Sequence, residues 1–437
     1  MAEQRDLYRD HLQQQLERIT AALAACQCDH LWLDNGAPLQ RFACDTRYPF
    51  RANPYLVELI PLTQHPHCQL LITPGERPRL LRQQRDDIWH SEPPLPAQAE
   101  YFQCLSYRSH SDLAALLPRG RVALISAQPL LQGDSIVHNP SALLNSLDYY
   151  RAIKSDYAIA QTLHATAAAA RAHSAARRAF AGGGSEREIY AEYLYNCGQS
   201  EAELPYDAIV ATDQHAAVLH HTVRATAAER QRTLLLDAGA SHHGYGCDIT
   251  RTYLGRAATS EFTALRDGLD RAQQQLAARV VSGVDFVDLQ RAADQAVAEL
   301  LCNSGVVNVS ASEALQQGLV ATFFPHGVGH LLGVQVHDRG GLLCDSRGGQ
   351  RPPPASNPML RCTRLLERNM LVTIEPGIYF IEQRLQQLNR AQRALLNWPL
   401  IEQLLPCGGI RIEDNVVAGE STARNLTREL FAPELSL

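Results

Sequence analysis

Asp237 closes the apolar run Thr233–Leu236 and Asp248 opens the run Ile249–Tyr253, with Gly239, Gly244 and Gly246 between them. A hairpin over this stretch would bring both carboxylates to one end of a sheet. Aspartate is also common beside turns that carry no chemistry, so the pair says little alone. The run Pro325-His-Gly-Val-Gly-His330-Leu-Leu-Gly-Val-Gln-Val-His337 adds three histidines within twelve positions, unusual for a solvated loop. Gly327 and Gly329 argue against a helical zinc pair, and the glutamate of His-Glu-x-x-His is missing. Glycines at 327, 329 and 333 are spaced one residue too far for a dinucleotide loop. Thr373-Ile-Glu375-Pro-Gly377 sets a glutamate at the end of an apolar strand before a tight turn. In Gly408-Gly-Ile-Arg-Ile-Glu413-Asp-Asn415, strand alternation turns Arg411 and Glu413 to one face, and Ile410 and Ile412 to the other. A carboxylate among apolar residues is costly without a cation or a metal. Asp237, Asp248, His330, Glu375 and Glu413 together offer four carboxylates and one imidazole, an oxygen-rich set suited to two divalent ions such as Mn(II), Co(II) or Zn(II).

These residues need strands to hold them and helices to cover the strands. The 437 residues suffice for two domains, and 45% hydrophobic with 20% charged residues is the balance of a folded chain. A formal net charge of −6 provides no global basic field for a polyanion, so no nucleic-acid partner is expected. The first ten residues carry charges where an apolar secretory segment would sit. No run of about 18 apolar residues follows, so a cytoplasmic protein with no membrane partner is expected. Eleven cysteines without a Cys-x-x-Cys pair read as free, mostly buried thiols. A helix is predicted over 9–25 and strands at 30–33, 69–73 and 122–125, a mixed α/β region crossed by the Pro-rich surface connection 92–96. An alanine-rich helical tract over 148–180 ends at Gly182-Gly-Gly184 and carries the domain boundary. Ser185 and Glu188 form a capping-box pattern that starts another helix. Beyond residue 205, strands at 209–210, 233–236, 249–253, 371–374 and 410–412 alternate with helices at 261–278 and 287–302.

With their flanking words (Leu-Asp-Ala-Gly-Ala, Asp-Ile-Thr-Arg-Thr, Pro-His-Gly-Val-Gly-His, Ile-Glu-Pro-Gly-Ile-Tyr and Gly-Gly-Ile-Arg-Ile-Glu-Asp-Asn) the five residues resemble the pita-bread metallopeptidases of family M24, in particular its bacterial Xaa-Pro dipeptidase (prolidase) branch. The likeness extends to Tyr48-Pro-Phe50, Asn53-Pro54, Trp89-His90, Leu204-Pro-Tyr206 and His215-Ala-Ala-Val-Leu-His220. It implies an α+β chain: an N-terminal mixed α/β, creatinase-like domain over 1–155, serving dimerisation and active-site closure, then a C-terminal pita-bread catalytic domain over 156–437. It further implies hydrolysis of Xaa-Pro dipeptides by a homodimer with two divalent ions per subunit, Mn(II) ahead of Co(II) or Zn(II), and a metal-bridging hydroxide as nucleophile.

By the same resemblance Asp237 chelates one ion, Asp248 and Glu413 bridge both, and His330 with Glu375 completes the other; Glu375 also shuttles the proton. His220, His326 and His337 contact substrate or its oxyanion, or else only pack around the centre. Arg411 orients the metal carboxylates. Arg361 reads the substrate carboxylate, with Arg364 as competitor and a solvated surface arginine as the bland alternative. Tyr206 is expected at the substrate. Asp45 would receive the substrate ammonium from the partner subunit, unless it merely starts a turn. His221 stands where the family commonly has tyrosine, and Cys247 is a second local departure. Aminopeptidase P action on longer Xaa-Pro peptides is the rival, disfavoured by Arg361 and by the interval from Glu375 to Glu413. Phosphotriester hydrolysis is a side activity to test, and a non-catalytic peptide-binding protein is the rival of another class.

Overall fold

The computed structural model describes residues 2–89, 91–128, 130–228 and 231–431; His90 of the Trp89-His90 word lies outside them. The long first helix, α1 (Ala2–Ala25), precedes a six-stranded mixed sheet. Its strands are β1 (His30–Asp34), β2 (Cys68–Ile72), β3 (Arg79–Gln83), β4 (Gln103–Tyr107), β5 (Val122–Ile125) and β6 (Ile136–His138), in the order β4-β3-β2-β1-β5-β6. The apolar strands β1, β2 and β5 are buried along their whole length, as continuous apolar runs require of central strands. Short helices α2 (Pro54–Val57) and α3 (His110–Ala115) connect them. Residues of α1, β1, β2 and β5 share one apolar core with Tyr157 and Tyr245 from farther along the chain.

The predicted tract 148–180 is not one helix: α4 (Ser141–Arg151) ends and α5 (Asp156–Ala181) begins after four intervening residues. Between them the Lys154 N–H donates to the Asn369 carbonyl and Ile153 bridges Met370, so this backbone pairs across the fold instead of along a helix. Ser155 restarts the helix by accepting from the Ala158 N–H. The capping box predicted at Ser185 and Glu188 forms and opens α6 (Glu186–Cys197).

Strands β7 (Ile209–Thr212), β8 (Thr233–Asp237) and β11 (Thr250–Leu254) make an antiparallel sheet with β8 central. The small hairpin of β9 (Ser241–His242) and β10 (Tyr245–Gly246) lies between β8 and β11. Helices α7 (Ser260–Ala277) and α8 (Phe286–Asn303) follow, and then β12 (Leu371–Ile374), β13 (Gly377–Tyr379), β14 (Gly409–Arg411), β15 (Asp414–Val417) and β16 (Arg424–Asn425). β12 pairs with β15, and β13 with β14, all antiparallel. A bridge from Thr250 to Glu413 joins the two strand sets. Helices α5 and α6 cover the first set through one apolar core, α7 and α8 the second through another. Both helix pairs therefore back the strands and leave the strand ends to the site. The eleven cysteines are all free, six of them buried. Among the described residues no helix is long and apolar enough to cross a membrane.

Candidate active site

Antiparallel register sets the positions. Thr250 faces Asp237 across the β8–β11 pair, which leaves Asp248, two residues before Thr250, at the same end as Asp237. Glu375 follows β12 directly, and Glu413 sits between β14 and β15, so both leave strands that pair with each other. The histidine segment 325–337 is tied in by a bridge from Leu331 to Val372 and by the Thr373 N–H donating to the His330 carbonyl. Ile410 and Ile412 are buried in the apolar core while Arg411 turns to the carboxylates, as alternation predicts.

His330, Asp248 and Glu413 bring one ligand atom each within 4.8 Å of one another, all three buried. The His330 Nε2 lies 3.5 Å from Asp248 Oδ2 and 3.6 Å from Glu375 Oε1. Its Nδ1 bonds the Leu331 carbonyl at 2.9 Å, so Nδ1 carries the hydrogen and Nε2 turns to the carboxylates. Asp237 is held differently: Oδ1 accepts from the Tyr206 hydroxyl at 2.8 Å and Oδ2 from Arg411 Nη2 at 2.5 Å. Arg411 Nε donates to Thr250 Oγ1, which donates to Glu413 Oε2 at 2.7 Å, so one guanidinium steadies carboxylates on both strand sets.

Four carboxylates here face one guanidinium and one imidazole, and the electrostatics carry the strain of that imbalance. Burial pushes the Glu375 carboxyl up to about 7, with the Asp248 and Asp237 charges adding to it against His330 and Arg411. Glu413 is raised well above the carboxylate range by burial and by Asp248, Glu375 and Asp237. Asp237 is raised by burial, against the pull of Arg411. Burial would lower His330, but Asp248 and Glu375 outweigh it and raise the imidazole. Asp248 Oδ1 is buried with no hydrogen-bond partner among the described residues. An orphaned carboxylate oxygen inside an oxygen-rich set with surplus negative charge fits divalent cations. The chain therefore has a candidate metal centre.

A cleft of about 1210 Å³ opens onto this centre. Asp237, Asp248, Tyr206, His220 and His337 line it, and Phe50 from the N-terminal region forms part of its far wall. The His337 ring stands edge-on to His330 at 4.5 Å, its pKa pressed down to about 4 by burial and the neighbouring His330. His326 is buried beside Tyr379: Arg411 Nη1 donates to the Tyr379 hydroxyl, which in turn donates to His326 Nε2 at 2.9 Å. His326 is thereby a neutral imidazole, lowered to about 3 by burial and Arg411, with Nδ1 3.7 Å from Glu375 Oε2.

Two expected residues stand apart from this constellation. Arg361 is exposed and outside the cleft lining, near enough that its charge acts on His337. Asp45 is exposed on the loop closed by the Gln40–Arg47 bridge and does not reach the cleft of its own chain. Arg364 is not free to compete with Arg361: it is buried, donates to the Tyr149 carbonyl and Glu367, and lies over the Tyr149 ring. Tyr379, Thr250 and Asn415, which accepts from the Asp248 N–H, went unassigned in the sequence reading. All three lie inside the quoted words, so the signal was there, attached to the acids beside them.

The model of Metallopeptidase family M24 matches residues 160–420, and that of the Xaa-Pro dipeptidase N-terminal domain matches 6–149. A Xaa-Pro dipeptidase of Xanthomonas campestris pv. campestris is 41% identical over 432 residues, covering 98% of each chain. One from Stenotrophomonas maltophilia is 41% identical, covering 98% of this chain and 97% of its own. Among solved structures, zinc-substituted Escherichia coli aminopeptidase P in complex with product aligns with a TM-score of 0.73 at 21% identity, covering 98% of this chain and 97% of its own. Pseudomonas aeruginosa aminopeptidase PepP aligns with a TM-score of 0.74 at 21% identity, covering 97% of each. At that identity the structures speak for a shared fold. The family match and the near full-length relatives go further, and the chain belongs to metallopeptidase family M24.

Proposed function

We propose that this chain hydrolyses Xaa-Pro dipeptides at a dinuclear metal centre. The observation that carries the reading is the convergence of Asp248, His330 and Glu413, with Glu375 and Asp237 beside them, on a cleft walled in part by the N-terminal region. The names of relatives at 41% identity over almost the whole chain support the dipeptidase reading over the aminopeptidase P one.

Asp237 would hold one ion, Asp248 and Glu413 would bridge both, and His330 with Glu375 would hold the other. A pair of divalent ions, when bound, would act as Lewis acid on the scissile carbonyl and make a water nucleophilic near neutral pH. Glu375 holds a proton at its carboxyl oxygens and delivers it to the proline nitrogen, an amide without N–H. Neutral His326, its Nε2 accepting from Tyr379 and its Nδ1–H donating to the Gly327 carbonyl, is fixed beside Glu375 as a wall of the substrate site. His337 and His220 flank the substrate in the cleft, and Tyr206 fixes Asp237 at its edge. Arg411 aligns Asp237 directly and Glu413 through Thr250. Arg361 takes the dipeptide's carboxylate, its exposed guanidinium being available for a bidentate pair.

The oxygen-rich set favours Mn(II) ahead of Co(II) or Zn(II). Residues 1–155 form the domain that closes the site and makes the homodimer, and 156–437 the catalytic domain. Eleven free thiols suit a cytoplasmic location.

The test strips the protein with chelator, refills it with single metals, and compares Xaa-Pro dipeptides with Xaa-Pro-Yaa tripeptides. Dipeptide turnover restored by metal is the expected result, and Asp248→Ala or Glu413→Ala should lose both turnover and bound metal. Preference for the tripeptides would move the chain to the aminopeptidase P reading. Metal binding without hydrolysis of either would leave a binding protein.

A further inference from the structure

Glu186 is a buried carboxylate outside the candidate metal centre. It is the first residue of α6, and its side chain is fully enclosed. Oε1 accepts from the Thr212 N–H at 2.8 Å, the Thr212 hydroxyl at 3.0 Å and His215 Nδ1 at 2.8 Å. Oε2 accepts from His221 Nε2 at 3.0 Å and the Ala225 N–H at 2.8 Å. Burial alone would raise this carboxyl, but the bonds from Ala225, Thr212, His221 and His215 outweigh it and hold it below the ordinary range. An ionised carboxylate only accepts, so both histidine nitrogens must carry hydrogens. The two rings stack on each other at 4.5 Å.

All five donors come from one stretch, 212–225, which beyond the end of β7 has only a short 3-10 turn at Asp213–Ala217. Such a segment lacks a ladder of its own, and one carboxylate gathers it at 212, 215, 221 and 225. His220 lies within this span. It lines the cleft, exposed to solvent. Its immediate neighbour His221 is tied inward to Glu186. With His221 tethered to the interior, His220 is left on the cleft side.

The same three side chains are close enough to hold a cation. Against that, each carboxylate oxygen already receives a backbone N–H and an imidazole nitrogen at 2.8–3.0 Å, hydrogen-bond contacts that put hydrogens where a cation would sit.

We propose that Glu186 is a positioning residue that clamps the 212–225 segment, and that through His221 it aims His220 at the substrate. The proposal rests on the dipeptidase reading for the role of His220, and its test has an arm that does not. Glu186→Gln and His221→Phe should each raise hydrogen exchange across 212–225 in the full-length metal-loaded protein, leaving α7 and α8 as protected as in wild type. Each should lower kcat/KM on an Xaa-Pro dipeptide roughly tenfold or more, the scale of a small misplacement of a reacting group. Combined with His220→Ala, neither should add to the loss from His220→Ala alone, because all act through one ring. His221→Gln, which keeps an N–H near the place of Nε2, should recover most of the activity that His221→Phe loses.

Unchanged exchange over 212–225 would overturn the clamp. Losses that multiply with His220→Ala would overturn the link to His220. Loss of one metal per chain in Glu186→Gln would overturn the hydrogen-bonded reading in favour of a cation site. A wild-type protein that fails to cleave Xaa-Pro dipeptides would sink the dipeptidase reading, while the exchange arm would still decide whether Glu186 holds the segment.

Discussion

Glu375 has His330 at 3.6 Å and His326 at 3.7 Å, and burial pushes its carboxyl up to about 7. Without metal, the folded chain therefore holds a proton on Glu375 that the unfolded chain releases near the ordinary glutamate value, about 4.3. A raised pKa contributes stability in full below the unfolded value and loses it as pH rises through the folded one. Glu375→Gln cannot lose that proton. In metal-stripped protein, the Tm of Glu375→Gln minus that of wild type should grow between pH 5 and pH 8, by an amount worth at most a few kcal/mol. Comparing the two proteins at each pH largely cancels the opposite trend from His326 and His337, whose lowered pKa values favour the folded state as pH rises. A difference flat across that range would show an ordinary carboxyl at 375. Arg361 offers a second test at this scale. If it reads the substrate carboxylate, Arg361→Ala should raise KM for Xaa-Pro dipeptides at least tenfold more than for a C-terminally amidated analogue. Equal effects on both would place the carboxylate site elsewhere, and not at Arg364, whose guanidinium is already committed.

Strand approach governs the site at the scale of elements. Gly329 runs so close to β12 that a Cβ there would lie 2.0 Å from the Thr373 carbonyl oxygen, a backbone atom that cannot swing away. This contact lets the His330 segment lie against the strand that delivers Glu375. Gly329→Ala should therefore cost on the order of 3 kcal/mol and weaken metal binding by separating His330 from Glu375. Melting curves with and without divalent metal would check both; a stable variant with full metal affinity would mean the strands can part without harm. The apolar runs of β1, β5 and β12 and the capping box of α6 were legible in the sequence, since each is a local pattern. The break between α4 and α5 was not, because Ile153 and Lys154 are drawn away by Met370 and Asn369, just ahead of β12 and more than 200 positions later. The same limit hid the Glu186 clamp and the pairing of Arg411 with Asp237, 174 positions apart. No periodicity encodes such contacts. The acids themselves were found because each sits beside its own short apolar strand and within a recognisable word.

On the scale of the whole molecule, the loop carrying Asp45 is the part that a single chain leaves unexplained. Phe42 is 98% exposed, and Leu39 and Tyr48 are more than half exposed on the same loop, which leads directly into the cleft wall at Pro49 and Phe50. Apolar side chains gathered on one protruding loop are costly in water and suit a covering partner. A second copy of this chain would cover them while carrying Asp45 toward the neighbouring cleft, where an acid could pair with the ammonium of a dipeptide. Asp45→Ala should then be impaired on its own, and mixing it with inactive Glu375→Ala chains should restore activity. In the mixed dimer, the subunit with intact Glu375 receives an intact Asp45 from its partner, giving one complete site per mixed dimer. Random exchange of equal amounts makes half the dimers mixed, so recovery should approach a quarter of the wild-type sites. No recovery after subunit exchange has been verified by differently tagged chains, or full activity in Asp45→Ala alone, would leave Asp45 as a solvated turn residue and the exposed loop without a role in catalysis.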